Sequence, residues 1–215
     1  MANIYSWSLD ISTTNVGMAL WYENGELVEL KHLELKVDRD IPEEERYLHK
    51  ASAFKEYIIK YKERVKEKYD GEIKNIFVEA PLSNTPVNIN TTAKLLAFNG
   101  IACYILNEVF NIPPYLISVY QSRKITLLDI IKKTKKRDGT IIETLSFPKD
   151  VDKKHFIWER VSKLQPEINW FYNKNGKIKN QSYDMSDAYL VGISGLIVIG
   201  IINLDDWKKK YYSIL

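Results

Sequence analysis

The feature that most restricts this chain is Asn24-Gly25, set between two runs with the alternation of half-buried strands. A dipeptide of this kind accepts left-handed backbone and closes an antiparallel hairpin. The spacing predicts strands over about residues 16–22 and 27–35, with both turn residues left-handed. Upstream, Tyr5, Trp7, Leu9 and Ile11 alternate with Ser6, Ser8 and Asp10, so an earlier strand over 5–11 carries a carboxylate near its end. Three antiparallel strands therefore open the fold.

The pattern then changes period. Leu48, Ala51, Phe54, Ile58, Tyr61 and Val65 recur at steps of three and four, which predicts an amphipathic helix from the acidic stretch Glu43-Glu44-Glu45 to about Gly71. A strand over 73–79 ends on Glu79, because Ala80-Pro81 cannot continue it. Asn90 or Thr91 caps a helix through Phe110, with Ala93, Leu96, Ile101, Ile105 and Val109 as buried candidates, and Pro113-Pro114 stops it. A strand over 115–119, a helix from Gln121 to about Lys136 with a basic end, a loop or small hairpin over 137–150, and a helix from Asp152 to about Leu164 follow. A turn-rich stretch over 166–182 leads to a last long helix from about Tyr183. Antiparallel strands followed by alternating strands and helices describe an α/β chain, a mixed five-stranded sheet flanked by helices. We read residues 1–215 as one domain with insertions near 137–150 and 166–182.

Composition excludes several classes. A hydrophobic fraction of 45% with 7 Pro and 9 Gly is that of a chain with a core, not of a disordered or fibrous one. The single cysteine, Cys103, rules out a disulfide framework within the chain and fits a reducing compartment; we expect a cytoplasmic protein with no membrane partner and Cys103 as a small buried hydrophobe. The N-terminus lacks the charged and apolar regions of a secretory signal. The run from Ala188 to Ile202, broken by Gly192, Gly195 and Gly200, is too short to cross a bilayer and reads as a buried helix.

Net charge is only +3, but residues 1–60 hold 7 basic against 11 acidic side chains and residues 121–180 hold 15 against 7. The second region suits a polyanion, and 25 lysines against 6 arginines favour point-charge contacts to a phosphate backbone over base reading. A solvated lysine surface is the plain alternative.

Asp10, Glu79, Asp184 and Asp187 are the candidate site. Asp10 and Glu79 fall at strand ends, where open α/β sheets place their chemistry. Asp184 and Asp187 are three apart on one helical face. Clustered carboxylates resist full ionisation unless a cation neutralises them, and oxygen ligands without His or Cys select Mg²⁺ or Mn²⁺. Two such ions suit in-line hydrolysis of a phosphodiester. Each residue alone has an ordinary role: Asp10 a turn former, Glu79 a surface group, Asp184 an N-cap with Asp187 completing it. Their joint placement and the basic segment between Glu79 and Asp184 favour the site.

Three segments, Leu9-Asp10-Ile11-Ser12-Thr13-Thr14-Asn15-Val16-Gly17, Phe77-Val78-Glu79-Ala80-Pro81 and Tyr183-Asp184-Met185-Ser186-Asp187-Ala188, resemble in order and spacing the three acidic motifs of RuvC-type Holliday junction resolvases of the RNase H-like superfamily. Residues 90–102 resemble that family's helix after the glutamate, 117–124 its next strand and helix start, and Asp152-Lys153-Lys154 the opening of a helix with DNA-contacting lysines. The resemblance implies an RNase H-like fold and a homodimeric, Mg²⁺- or Mn²⁺-dependent endonuclease with two ions per site that nicks two strands of a four-way DNA junction. Asp10, Glu79, Asp184 and Asp187 would be its catalytic and metal-binding positions, with Arg123, Lys124, Lys132, Lys133, Lys135, Lys136, Lys153 and Lys154 on DNA. The first motif lacks the family's Pro-Gly or Gly-Ser form, Leu82 stands where several members carry an aromatic wedge, and both insertions are long. These departures point to a divergent, phage-type member with broader activity on branched DNA.

Weaker signals have ordinary readings. His32, His49 and His155 lack metal-ligand spacing, and His155, beside Lys153 and Lys154, is a surface position with phosphate contact as the alternative. Asp205-Asp206 reads as the cap of a terminal helix. Trp170, Phe171 and Tyr172 among Lys174, Lys177 and Lys179 are either a stacking loop for nucleic acid or a loop anchored in the core. The competing functions are a flap or broad branched-DNA nuclease, a junction-binding protein that does not cut, and an actin-like or sugar-kinase ATPase. The last shares the form of the first motif but needs a second glycine-rich nucleotide motif, which is not visible in this chain.

Overall fold

A computed structural model describes residues 2–38, 40–81 and 89–214, with the side chains at 43, 44 and 89–91 outside the description. Leu82 and the side chains of Asn90 and Thr91, the expected caps, therefore lie outside the described residues, and the helix expected to follow them already begins at Ile89.

Three antiparallel strands do open the fold: β1 (Asn3–Ile11), β2 (Asn15–Tyr22) and β3 (Leu27–Glu34). Helix α1 (Glu43–Tyr69) leads to β4 (Gly71–Ala80), parallel to β1, and α2 (Ile89–Phe110) leads to β5 (Tyr115–Ser118), parallel to β4. The five-stranded sheet runs β3-β2-β1-β4-β5. After it come α3 (Val119–Thr126), a 3-10 turn (Leu128–Ile130), the hairpin β6 (Ile131–Lys135) and β7 (Ile141–Leu145), α4 (Lys153–Leu164), α5 (Asn180–Val198) and α6 (Leu204–Tyr212).

The period-two alternation of β1 sorts side chains to two faces. Trp7 and Leu9 join Phe54, Ile58, Tyr61, Phe98 and Leu106 in a core under α1 and α2. Trp21 and Phe77 join Ile157, Tyr189, Leu190 and Trp207 in a core under α4, α5 and α6. Helix α5 reaches the second face closely because small residues let it. A Cβ at Gly192 would overlap Ser8 and the Trp21 indole, and one at Gly195 would overlap the Phe77 ring. Ser8 Oγ donates to the Ala188 carbonyl at 2.8 Å and accepts from Trp21 Nε1 at 3.0 Å, so the polar groups of this contact are paired.

Several expectations are corrected. Only Gly25 of the Asn24-Gly25 pair has positive φ; Tyr22 and Glu26 close a longer loop in which Asn24 Oδ1 accepts from Glu26 N–H, and the register shifts by one at Trp21. The helix expected over 121–136 ends at Thr126, and the lysines beyond it lie on a β-hairpin. The β-branched run Thr134, Ile141, Ile142 and Thr144 pairs across the Asp138-Gly139 turn, and that pairing outweighs the helical propensity of lysine. Val119 belongs to α3 rather than to the strand. Leu48 and Leu96, expected inside, are exposed, as is Ala93. Cys103 is half-buried, its thiol 3.6 Å from Asn99 Oδ1. Asn203, not Asp205 or Asp206, caps α6, and the two aspartates pair instead with Lys208 and Lys209. Asp152, expected as the first residue of the next helix, is its N-cap, its carboxylate accepting from Lys154 and His155 N–H.

Helix α2 is unusual. Phe98, Ala102, Ile105 and Leu106 pack inward, while Ala93, Leu96, Ala97, Gly100 and Tyr104 form a second, exposed stripe. By length and mean hydropathy, its stretch from Thr92 to Phe110 is the one helix among the described residues apolar enough to cross a membrane, and only 28% of it is buried.

Candidate active site

In the parallel pairing of β1 and β4, Leu9 lies opposite Val78, so the next residues along, Asp10 and Glu79, sit side by side at the carboxyl ends of two central strands. Strand parity puts Asp10 on the same face as Ser8, and Glu79 on that of Phe77, both of which touch α5. Helix α5 completes the arrangement. Gly17, the partner of Asp10 across β1 and β2, has no room for a Cβ because the Asp184 carbonyl lies against it. That close approach sets Asp184 over the end of β1, and Asp187, one turn on, is 7% exposed beneath the helix.

The helix begins at Asn180, three residues earlier than expected, so Asp184 and Asp187 are interior positions and neither is a cap. The plain capping role therefore lapses, and what remains is a shared electrostatic environment. Burial, then the charges of Glu79, Asp187 and Asp184, push the Asp10 carboxyl well above the usual carboxylate range, against a smaller pull from Lys154. Glu79 is raised to about 8 by burial and Asp187, with Arg123 and Lys154 opposing and Asp184 adding. Burial also raises Asp187, against Arg123 and Lys154. The Oδ2 atom of Asp184 is buried and accepts no hydrogen bond among the described residues.

Among the described residues no three His, Cys, Asp or Glu side chains already stand as a metal cage. The donor set nevertheless fits a hard divalent cation. It offers carboxylate oxygens only, one of them an orphaned buried acceptor, in a cluster whose mutual repulsion a cation would relieve.

The basic residues divide. Arg123 points back into the cluster, its Nη2 3.8 Å from Asp187 Oδ1, and Lys154, exposed at the start of α4, is the lysine whose charge acts on Asp10, Glu79 and Asp187. Lys153 lies over the Phe147 ring, 5.6 Å from its centroid. Lys124 and Lys133 both pair with Glu143, each at 3.4 Å. On the hairpin, Lys132 and Lys133 face opposite sides by strand parity, and Lys132, Lys135 and Lys136 are exposed. The basic run expected at a helix end thus lies on the hairpin, while Lys153 and Lys154 open α4 as expected.

His32 was passed over for want of ligand spacing. Its side chain is 5% exposed, with Nε2 3.1 Å from Asn15 Oδ1 and 3.7 Å from Asp184 Oδ2. The signal was in the hairpin register: Asp10 pairs with Gly17 and Gly17 with His32, which aligns the three across the sheet.

No protein-family profile and no curated protein sequence matches this chain. Solved structures do. Residues spanning 92% of the chain superpose on 97% of T. thermophilus RuvC in complex with a Holliday junction substrate, at 9% identity and a TM-score of 0.54. A second Thermus thermophilus RuvC structure gives 10% identity, a TM-score of 0.51, and coverage of 91% and 96%. The yeast mitochondrial Holliday junction resolvase covers 100% of this chain and 85% of its own, at 10% identity and a TM-score of 0.48. At such identities the likeness is one of fold: the chain is an α/β protein with the RNase H-like arrangement of a mixed five-stranded sheet flanked by helices.

Proposed function

We propose that this protein is a metal-dependent endonuclease that hydrolyses phosphodiester bonds in branched DNA, and that its substrate is the four-way junction, cut by paired nicks. The observation that carries the reading is the convergence of Asp10 and Glu79, at the ends of two central parallel strands of an RNase H-like sheet, with Asp184 and Asp187 on the helix packed over them. The fold likeness to RuvC, one of whose structures holds a Holliday junction substrate, supports the choice of DNA. A protein that only bound DNA would gain nothing from four carboxylates facing a polyanion.

Asp10, Glu79, Asp184 and Asp187 would hold two Mg²⁺ or Mn²⁺ ions. When bound, such ions lower the pKa of a water and stabilise the departing oxygen. The chain's own part is placement. The Gly17 contact fixes Asp184 against β2, the β1 and β4 pairing fixes Asp10 beside Glu79, and Arg123 limits the negative charge around Asp187. Asn99 Nδ2 donates to the Glu79 carbonyl at 3.2 Å and holds the end of β4 to α2. His32, held by Asn15, stands 3.7 Å from Asp184 Oδ2 and would add positive charge beside it when protonated. Lys154 and the hairpin lysines neutralise backbone phosphates, which orients the duplex without reading its sequence. Such a protein acts where its DNA is, in the cytoplasm of a bacterium or of a phage-infected host.

Two nicks placed symmetrically about a branch point need two sites with the junction's own two-fold symmetry, so the active form is a homodimer. The exposed stripe of Leu96, Gly100 and Tyr104 on α2 is its interface; nothing lies within 4 Å of a Cβ built on Gly100. Light scattering at micromolar concentration is expected to give about twice the chain mass, and Leu96→Glu with Tyr104→Glu to give one chain mass; a wild-type monomer contradicts the dimer. The test of the whole reading is incubation with labelled four-way, Y-shaped and linear DNA, with and without Mg²⁺. Mg²⁺-dependent paired nicking of the four-way DNA is expected. Equal cutting of Y-shaped DNA by single nicks would make the protein a general branched-DNA nuclease, and metal-independent binding without cutting would remove the enzyme.

A further inference from the structure

The stretch between α4 and α5 brings aromatic rings to the edge of the acidic cluster without committing them all to the core. Trp170 is half-buried and edge-on to Trp158, with centroids 6.3 Å apart. Phe171 is edge-on to His32 at 6.1 Å, the same ring that adjoins Asp184. Tyr172 meets Trp158 edge-on at 6.4 Å yet remains 49% exposed. The backbone here is held by specific bonds. Tyr172 and Ile178 form a bridge, Asn173 N–H donates to the Lys177 carbonyl at 2.8 Å, and Gly176 takes the positive φ of the turn. Ser182 Oγ accepts from Phe171 N–H at 2.7 Å and donates to the Phe171 carbonyl at 3.1 Å, tying this small hairpin to the first turn of α5.

Between the hairpin and α4 lies a cavity of about 470 Å³ lined by Asp152, His155, Trp158, Tyr172, Lys177 and Tyr183. That volume is in the range of small-molecule sites. Trp158 and Tyr172 stand at 88° to each other, and Tyr172, half exposed, keeps ring surface open for stacking. Trp158 also carries a buried indole N–H with no acceptor among the described residues. Lys177 lines the cavity, and Lys174 and Lys179 are exposed on the same hairpin. The cavity adjoins the carboxylates through two pairs of sequence neighbours, Tyr183 before Asp184 and His155 after Lys154.

Flat aromatic walls with lysines at the rim fit a flat heterocycle bearing a nearby anion, which is the chemistry of a nucleotide. We propose that this cavity receives an unstacked nucleobase of the DNA strand held at the carboxylates, stacked on the exposed face of Tyr172 with Trp158 edge-on beside it and Lys177 on its flanking phosphate. The branch point of a junction is where a base is most easily unstacked, so the hairpin would select branched over linear DNA. The inference rests on the nuclease reading for the strand it names, and the test below separates the two.

Two probes, both in Ca²⁺ so that nothing is cut, address it: a short single-stranded oligothymidylate, and a four-way junction carrying 2-aminopurine in turn at each nucleotide flanking the branch. Tyr172→Ala is expected to weaken oligothymidylate binding about tenfold, the size of one base stack. Tyr172→Phe should restore it, because the ring remains. At one junction position 2-aminopurine fluorescence should change on binding wild type and not on binding Tyr172→Ala. Melting of Tyr172→Ala should match wild type, since the ring is half exposed. Wild-type affinity in Tyr172→Ala, or no responsive 2-aminopurine position, overturns the proposal. Tyr172-dependent binding without any Mg²⁺-dependent cleavage would remove the nuclease reading and keep the base site; intact cleavage with an indifferent Tyr172→Ala would remove the base site alone.

Discussion

Glu29 and Glu79 are both carboxylates held against the same sheet, and their surroundings drive them in opposite directions. Burial would raise Glu29, but hydrogen bonds from Arg64, Tyr61 and Tyr69 outweigh it and bring the carboxyl down to about 2. The Arg64 guanidinium reaches it with two nitrogens at 2.8 and 2.9 Å, and the Tyr61 hydroxyl donates at 2.6 Å. Glu79 is drawn deeper into the protein, the charge that acts on it most is that of another carboxylate, Asp187, and it rises to about 8. The first group is satisfied by the fold. The second is left wanting a positive charge that the chain itself supplies only in part, through Arg123 and Lys154. A buried carboxylate cluster left uncompensated by the chain is a candidate site for a cation.

The largest effect that separates the two regions is on activity. Asp10→Asn, Glu79→Gln and Asp184→Asn should each lower junction cleavage by about 10³-fold or more while leaving junction binding intact, because a ligand is lost and negative charge near DNA falls. Glu29→Gln should leave the rate per folded molecule unchanged. Retained cleavage in any two of the three site variants would sink the assignment. Ca²⁺ should support binding without turnover, since its longer and looser coordination does not hold an in-line geometry.

Stability should move the other way. Glu29→Ala breaks a largely buried ion pair and leaves Arg64 and two tyrosine hydroxyls short of their acceptor, a loss of about 2–3 kcal/mol in chemical denaturation. Glu79→Gln in metal-free buffer above about pH 8, where the wild-type carboxyl is ionised, removes a repelled charge and should raise the melting temperature. A fall in both, or a rise in both, would erase the contrast.

The pH dependence follows from Glu29. Its pKa in the folded state, about 2, lies below the ordinary 4.5, so its contribution is fully present above about 4.5 and is lost as pH falls toward 2. Denaturation followed from pH 5 to pH 2 should show wild type losing stability faster than Glu29→Gln. Equal slopes would mean the Arg64 pair contributes nothing.

The smallest effects belong to the lysines. Each replacement among Lys132, Lys135, Lys136, Lys153 and Lys154 that removes a phosphate contact should lower the salt slope of DNA binding by about one unit, similarly for different sequences. Lys124 and Lys133, already paired with Glu143, should contribute less. An unchanged slope after replacing all of them returns both clusters to ordinary solvated surface.

How much of this was legible in the chain varied with the physics involved. The first four strands, α1 and the place of all four carboxylates follow from period and turn chemistry, because hydrophobic alternation and breakers are local signals. A hairpin near 137–150 was legible from its turn residues, but its first strand, β6, was not, since a lysine-rich run favours helix locally and the cross-strand pairing of residues such as Thr134 with Ile142 reverses it. His32 was hidden for a related reason: its neighbours at the site come from register across strands, not from spacing along one. The exposed stripe of α2 shows in sequence only as an excess of apolar residues, and which of them face outward is decided by packing against α1 and β4.

The central claim, that the carboxylates at the ends of β1 and β4 and on α5 await divalent cations, is tested most directly by calorimetric titration of Mn²⁺ into metal-free protein. The account predicts binding of about two ions per chain with release of protons from the raised carboxyls, and loss of that binding in Asp10→Asn with Glu79→Gln, while Glu29→Gln titrates as wild type. No Mn²⁺ binding by wild type, or equal binding by the double variant, would contradict it.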